Sequence, residues 1–190
     1  CPKCRKSVTA PGAVAGAPAA GSQSATPMPA VPAAPQFGKY QIERELGRGA
    51  SGAVYLATDQ ALRRHVALKL LVVPPAIQGL DRQRVLERFL REARASAAIT
   101  SPSVAQVYDA GTIAGKHFIA MEYCDGVTLR EALRMEAPLK VERALQIAGQ
   151  ILQGLQAAHA LGICHRDVKP ENIMLIRGGG LAKLMDFGIA

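Results

Sequence analysis

The segment His165-Arg166-Asp167-Val168-Lys169-Pro170-Glu171-Asn172 places an acid, a cation and an amide within eight residues. Pro170 has no N–H and its ring clashes with a preceding helical turn, so the stretch reads as a held loop and not a helix interior. Asp186-Phe187-Gly188 follows an apolar run near the end of the chain and supplies a second carboxylate. Asn172 and Asp186 together offer the oxygen ligands that a hard cation prefers. Much earlier, Gly47-Arg48-Gly49-Ala50-Ser51-Gly52 is a glycine-rich turn followed by Ala53-Val54. Glycines there would let backbone N–H groups approach phosphate oxygens with no Cβ in the way. A dinucleotide fold would need a helix after the last glycine. A strand follows instead, and read alone the turn is equally a plain flexible hairpin. Lys69 closes Val66-Ala67-Leu68-Lys69 on a strand, where the pleat sets it on the face of Ala67. On a covered face it needs an anion, either a ligand phosphate or Glu92; taken singly it reads as a surface lysine.

These residues must be positioned by elements, and the sequence supplies them. Residues 40–47 alternate, with Ile42, Arg44 and Leu46 on one side, which is the period of a strand. Two further strands, 53–58 and 65–71, follow short turns and complete an antiparallel meander. Residues 81–98 read as a helix, with Val85, Phe89 and Ala93 sharing a face. Strands are expected at 104–107 and 117–122. Thr128 and Glu131 have capping-box spacing and open a helix. Residues 141–160 form an amphipathic helix with a stripe of Val141, Ala144, Leu145, Ala148, Ile151, Leu152, Leu155 and Ala158. The last segment reads as a hairpin around Gly178-Gly179-Gly180, and closing it brings the flanking Asn172 and Asp186 together. A strand-rich half thus precedes a helix-led half, an α+β chain with two lobes.

Bulk properties narrow the class. The chain has 190 residues, 49% hydrophobic and 20% charged, ordinary for a globular protein. Its net charge is +8, but the cations are interleaved with acids, as in Arg82, Arg84, Glu87, Arg88, Arg91, Glu92 and Arg94. That is a solvated helix face, so no nucleic-acid partner is expected. No apolar run reaches the ~18 residues of a membrane span, and no leader pattern is seen; the number and scatter of the four cysteines do not suggest a disulfide scaffold, so a reducing cytoplasm is expected, with a membrane anchor elsewhere in the parent left open. Cys1 and Cys4 have C-x-x-C spacing, half of a four-ligand Zn²⁺ site; either 1–6 is the remnant of a zinc ribbon whose other half lay upstream, or the spacing is chance. Residues 7–38 contain no charge and are dominated by Ala, Pro and Gly, a disordered linker with too little to bury. Cys124 and Cys164 are expected to be small buried hydrophobes, and His165 to pack under Phe187.

Together the glycine turn, Val66-Ala67-Leu68-Lys69, the His165–Asn172 loop and Asp186-Phe187-Gly188 resemble, in order, the motifs of the protein kinases. The type is the serine/threonine one in its bacterial, eukaryotic-like form. Leu68 and Val168 stand where Ile and Leu are usual, and Ser101-Pro102-Ser103 where many relatives have His-Pro. The resemblance covers 40–190 and implies a two-lobe kinase fold, with a complete N-lobe and hinge at 39–123 and a partial C-lobe at 124–190. It implies that Gly47, Gly49 and Gly52 cover the ATP phosphates and that Lys69 binds them while pairing with Glu92. Asp167 would orient the substrate hydroxyl and accept its proton, with Lys169 neutralising the γ-phosphate. Asn172 and Asp186 would hold Mg²⁺. The adenine would lie between Val54, Ala67 and Met174, with Met121 behind it, and the Glu122 carbonyl and Cys124 amide reading its edge. Arg166 would meet a phosphorylated activation loop.

The expected function is ATP-dependent transfer of the γ-phosphate to Ser or Thr hydroxyls of proteins. The alternatives are a non-catalytic nucleotide-binding scaffold or a small-molecule kinase of similar fold. Kinases of this type continue past Asp-Phe-Gly, so the chain reads as a fragment whose helix stripe is left wet. Exposing several Leu and Ile side chains at ~25 cal/mol per Å² removes several kcal/mol, comparable with the stability of a whole domain. The 190-residue chain is therefore expected to be inactive on protein substrates and prone to aggregate. A γ-phosphate transfer assay on the purified chain checks this, and normal turnover refutes it.

Overall fold

In a computed structural model the described residues are 35–49, 52–73 and 76–187, all within the compact unit Ala34–Ala190. Cys1, Cys4, nearly all of the 7–38 linker, the turn residues Ala50 and Ser51, and Gly188 lie outside them.

The first half is a six-stranded antiparallel sheet. Its strands are β1 (Gln36–Phe37), β2 (Tyr40–Gly49), β3 (Gly52–Asp59), β4 (Arg64–Leu71), β5 (Val107–Ile113) and β6 (Lys116–Glu122), in spatial order β1-β2-β3-β4-β6-β5. Helix α1 (Gly79–Ala97) packs on one face. The pleat of β4 divides its side chains between the two faces. Val66 and Leu68 join Phe37, Tyr40, Ala57, Phe118 and Ala120 in one cluster. Ala67 joins Phe89, Ala93, Ile119 and Met121 beneath α1. Lys69 shares the parity of Ala67 and is therefore turned to the covered side, where it is only 4% exposed.

The second half carries α2 (Leu129–Glu136), α3 (Val141–His159) and a small sheet of β7 (Gly126–Thr128), β8 (Ile173–Ile176) and β9 (Ala182–Leu184) in that order. The capping box expected at Thr128 is formed: its hydroxyl accepts from the Glu131 N–H at 3.1 Å, and Glu131 accepts from the Thr128 N–H at 2.7 Å. β8 and β9 are the hairpin expected from the sequence, paired Ile173↔Leu184 and Met174↔Lys183. A single turn of 3₁₀ helix, Pro170–Asn172, leads into β8.

Four expectations about elements need correction. β1 begins inside the stretch read as linker, and Phe37 is buried edge-on against Phe118 at 5.7 Å; one aromatic side chain suffices to anchor it. β5 starts at Val107, not Val104. The segment before it belongs to the other half, because the Ala105 N–H donates to the Leu184 carbonyl and the Leu184 N–H to that of Ser103. β5 and β6 turn through Ala114 and Gly115, both with positive φ, the backbone of a tight two-residue hairpin. β7, too short to show a period, had no sequence signal. Finally, the stripe on α3 splits. Ile147, Ile151, Gly154 and Ala158 are buried, whereas Val141, Leu145 and Leu152 are 64–68% exposed. The packed face is centred on Gly154, where the backbone of Ser103 and the side chain of Leu184 come closest.

That close approach generates a paired prediction. A Cβ at Gly154 would stand 2.9 Å from the Ser103 carbonyl oxygen and 3.2 Å from Leu184 and Val104, whereas one at Gly149 would meet nothing within 4 Å. Gly154→Ala is expected to destabilise by ~1–3 kcal/mol through overpacking. Gly149→Ala, in the same helix, is expected to stabilise by ~0.5–1 kcal/mol. Urea unfolding of the two variants reads both signs.

Candidate active site

Between the halves lies a cleft of about 340 Å³. Gly47, Val54, Ala67, Met121, Glu122, Cys124, Met174 and Asp186, all singled out from the sequence, line it. Arg44, Leu46, Thr128, Glu131 and Met185 line it too and were missed. The signal for Arg44 and Leu46 was available, since both lie on the side of the alternating strand β2 already marked. Gly49 pairs with Gly52 where β2 turns into β3. Gly52 has φ +142°, and a Cβ there would stand 2.0 Å from the Leu70 carbonyl oxygen, so the hairpin admits only glycine at that point.

The charged groups meet at the floor of the cleft. Lys69 Nζ donates to Asp186 Oδ1 at 2.8 Å, with the lysine side chain 6% exposed. Glu92 is not its partner, contrary to expectation. The Glu92 carboxylate accepts instead from Arg88, one helical turn earlier, at 2.9 Å. An i,i+4 pair forms within the helix at little entropic cost, while Asp186, beyond β9, already satisfies the buried ammonium. Asp186 itself has φ +55° and Arg166 φ +65°, left-handed conformations that non-glycine residues adopt only under restraint.

The restraint comes from a packed histidine. His165 is 2% exposed and its ring lies 4.5 Å from that of Phe187. Its Nε2 bonds the Met185 carbonyl at 2.9 Å, and its Nδ1 accepts from the Asp167 N–H at 3.3 Å. Those two bonds together require the neutral ring with its proton on Nε2. His165 thus ties the catalytic-type loop to the residue before Asp186, in the packing role expected for it.

On the loop, Lys169 Nζ meets Asp167 Oδ2 at 2.7 Å. Asn172 Nδ2 donates to the Asp167 carbonyl at 2.9 Å and to its Oδ2 at 3.0 Å. The hydrogen bond from Lys169, with a smaller contribution from Asn172, holds the Asp167 carboxyl below its usual range. Asn172 spends its amide protons on Asp167, which leaves its carbonyl oxygen for a cation. Asp186 has a second oxygen beyond the one facing Lys69. Two oxygen ligands suit Mg²⁺, which completes its shell with water and phosphate oxygens. Among the described residues no three His, Cys, Asp or Glu side chains are grouped to hold a metal by themselves. The C-x-x-C pair lies outside the described residues.

Of the two cysteines among the described residues, Cys124 is buried as expected, but Cys164 is exposed. It precedes His165 at the point where the chain emerges from α3, so the neighbouring burial does not extend to it. Burial, with the nearby Glu122 charge, pushes the Cys124 thiol up to about 11.

The model for the protein kinase domain matches residues 40–190, and the chain belongs to that family. It is 45% identical over 155 residues to the serine/threonine-protein kinase PknD of Mycobacterium tuberculosis, covering 82% of this chain and 23% of that protein. It is 41% identical over 153 residues to the probable serine/threonine-protein kinase pknA2 of Bifidobacterium longum, covering 80% of this chain and 20% of that one. Among solved structures it is similar to the kinase domain of M. tuberculosis PknI, with TM-score 0.71, 35% identity, and coverage of 85% of this chain and 62% of the other. The chain thus spans about a fifth to a quarter of the length of these curated relatives. The relatives are bacterial serine/threonine kinases, and the two-lobe fold with an N-terminal sheet is theirs. The family uses ATP and Mg²⁺.

Two outcomes are expected from this geometry. Because the folded-state value of Asp167 is depressed, its ion pair with Lys169 is intact above the ordinary carboxylate range and is lost as pH falls through the lowered value. A ¹³C titration of the Asp167 carboxyl should give a midpoint below 3.8, and Lys169→Met should move it up. Alkylation at pH 8 mapped by mass spectrometry should label Cys164 and leave Cys124 unmodified in the folded chain, because the thiolate is the reactive form.

Proposed function

We propose that the protein to which this chain belongs is an ATP-dependent serine/threonine kinase that transfers the γ-phosphate to protein hydroxyls. The observation that carries this reading is a pair of charged sets beside the cleft: Lys69 bonded to Asp186, which lines it, and Asp167 held by Lys169 and Asn172, with the Met185 N–H donating to the Asn172 backbone carbonyl between them. Phosphoryl transfer demands alignment and charge neutralisation more than covalent chemistry, and those sets supply both.

In this reading Gly47, Gly49 and Gly52 cover the phosphates. Lys69 exchanges Asp186 for phosphate oxygens and comes within reach of Glu92. Asn172 and Asp186 hold Mg²⁺, whose charge offsets that of the triphosphate. Val54, Ala67 and Met174 enclose the adenine before Met121, and the backbone of Glu122 and Cys124 reads its edge. Asp167, ionised at neutral pH, orients the hydroxyl and takes its proton, while Lys169 neutralises charge on the phosphoryl group in transit. The division of labour falls at 123/124, with nucleotide held mainly by 39–123 and the acceptor served by 124–190. No helix among the described residues is long and apolar enough to cross a membrane; we place this part of the protein in the cytoplasm, where ATP is. We read Cys1 and Cys4 as half of a Zn²⁺ site, which metal analysis of the full-length protein would test.

In the full-length protein Asp167→Asn is expected to lower kcat by about 10²–10⁴-fold with the affinity for Mg·ATP nearly unchanged. Lys69→Met should weaken Mg·ATP binding as well. Radiolabel transfer from [γ-³²P]ATP to a protein substrate, beside calorimetric nucleotide binding, separates the two. Unchanged transfer in Asp167→Asn would sink the catalytic assignment and leave a nucleotide-binding scaffold.

A further inference from the structure

Lys183 Nζ donates to both carboxylate oxygens of Glu122, at 2.6 and 2.7 Å. The pair is sheltered, with side chains 12% and 27% exposed, so salt screens it little. Its members stand on different sheets. Glu122 ends β6 and lines the cleft directly, while Lys183 lies in β9, which runs on through Met185 and Asp186 along the floor. Gln106 completes the arrangement. Its N–H donates to Glu122 Oε2 at 3.2 Å, its carbonyl accepts from the Glu122 N–H at 2.8 Å, and its side-chain amide donates to the carbonyl of Ala97 at 3.0 Å. Ala97 is the last residue of α1. One run of bonds therefore joins the end of α1, the end of β6 and the strand that leads into Asp186.

We infer that Glu122 and Lys183 are a positioning pair that sets the distance between the two ends of the nucleotide site. The inference rests on the nucleotide reading above. In that reading the Glu122 backbone meets the base and Asp186 meets the metal and phosphates. A ligand held at both ends gains affinity when the separation is set in advance, because it does not have to order two loosely coupled elements itself. Lys183 touches no part of the ligand and acts through Glu122 and through the pitch of β9. A pair that served the fold alone would affect a short ligand and a long one equally.

The test compares Mg·ATP, which spans both ends, with adenosine, which occupies only the base end, by calorimetry on the full-length protein. Lys183→Met is expected to weaken Mg·ATP about ten-fold while adenosine changes by less than about two-fold. Lys183→Arg should recover most of the loss, since a guanidinium also pairs with both carboxylate oxygens. If Lys183→Met does not fold, Lys183→Gln, which keeps a polar side chain and removes the charge, should give the same contrast. Unchanged Mg·ATP affinity, or equal losses for both ligands, overturns the inference while leaving the nucleotide reading intact. A parent chain that binds neither ligand overturns both.

Discussion

A buried ammonium is the constraint around which the rest is arranged. The pleat of β4 turns Lys69 to the covered face, and a lone cation there costs several kcal/mol. No acid on the neighbouring strands relieves it. The relief comes from Asp186, 117 residues later in the chain, at 2.8 Å. For that meeting to occur, the hairpin of β8 and β9 must be in register and the left-handed backbone at Asp186 must be held. The His165 ring must also sit between Phe187 and the Met185 carbonyl. The electrostatic demand of one side chain thus couples the sheet to the second half of the molecule.

The same contact bears on chemistry. Lys69 has Asp186 as its carboxylate partner. With Asp186 as partner, Glu92 is left to Arg88 on its own helix. Phosphate oxygens entering the cleft would compete for the ammonium, and a cation would compete for the Asp186 carboxylate. In this arrangement the protein charges neutralise each other. The loop repeats the pattern on a smaller scale, with Lys169 neutralising Asp167.

Glycines contribute by permitting proximity. At Gly52 and Gly126 a Cβ would fall 2.0 Å from a carbonyl oxygen of the adjacent strand, Leu70 and Leu175 respectively. Those positions bring strands against one another in the two sheets, and Gly126 also lines the cleft. Gly47 and Gly49, by contrast, have nothing within 4 Å of a notional Cβ. Their space is open, and Gly47 lines the cleft.

The residue order alone determined most of the strand and helix pattern, the loop around Asp167 and the identity of the charged set. Those features are local: a period of two or of 3.6, a proline in a loop, a capping box three residues apart. The family resemblance is likewise carried by short motifs, each legible without its neighbours. What only the tertiary structure decided is which partner each side chain takes. Lys69 chose Asp186 over Glu92, Glu122 was found by Lys183, and the buried face of α3 shifted toward Gly154. The start of β5 and the existence of β7 were also settled by pairing with distant strands. Such choices depend on distances between residues far apart in the chain. Those distances arise from the packing of whole elements and leave no mark in any short window of sequence.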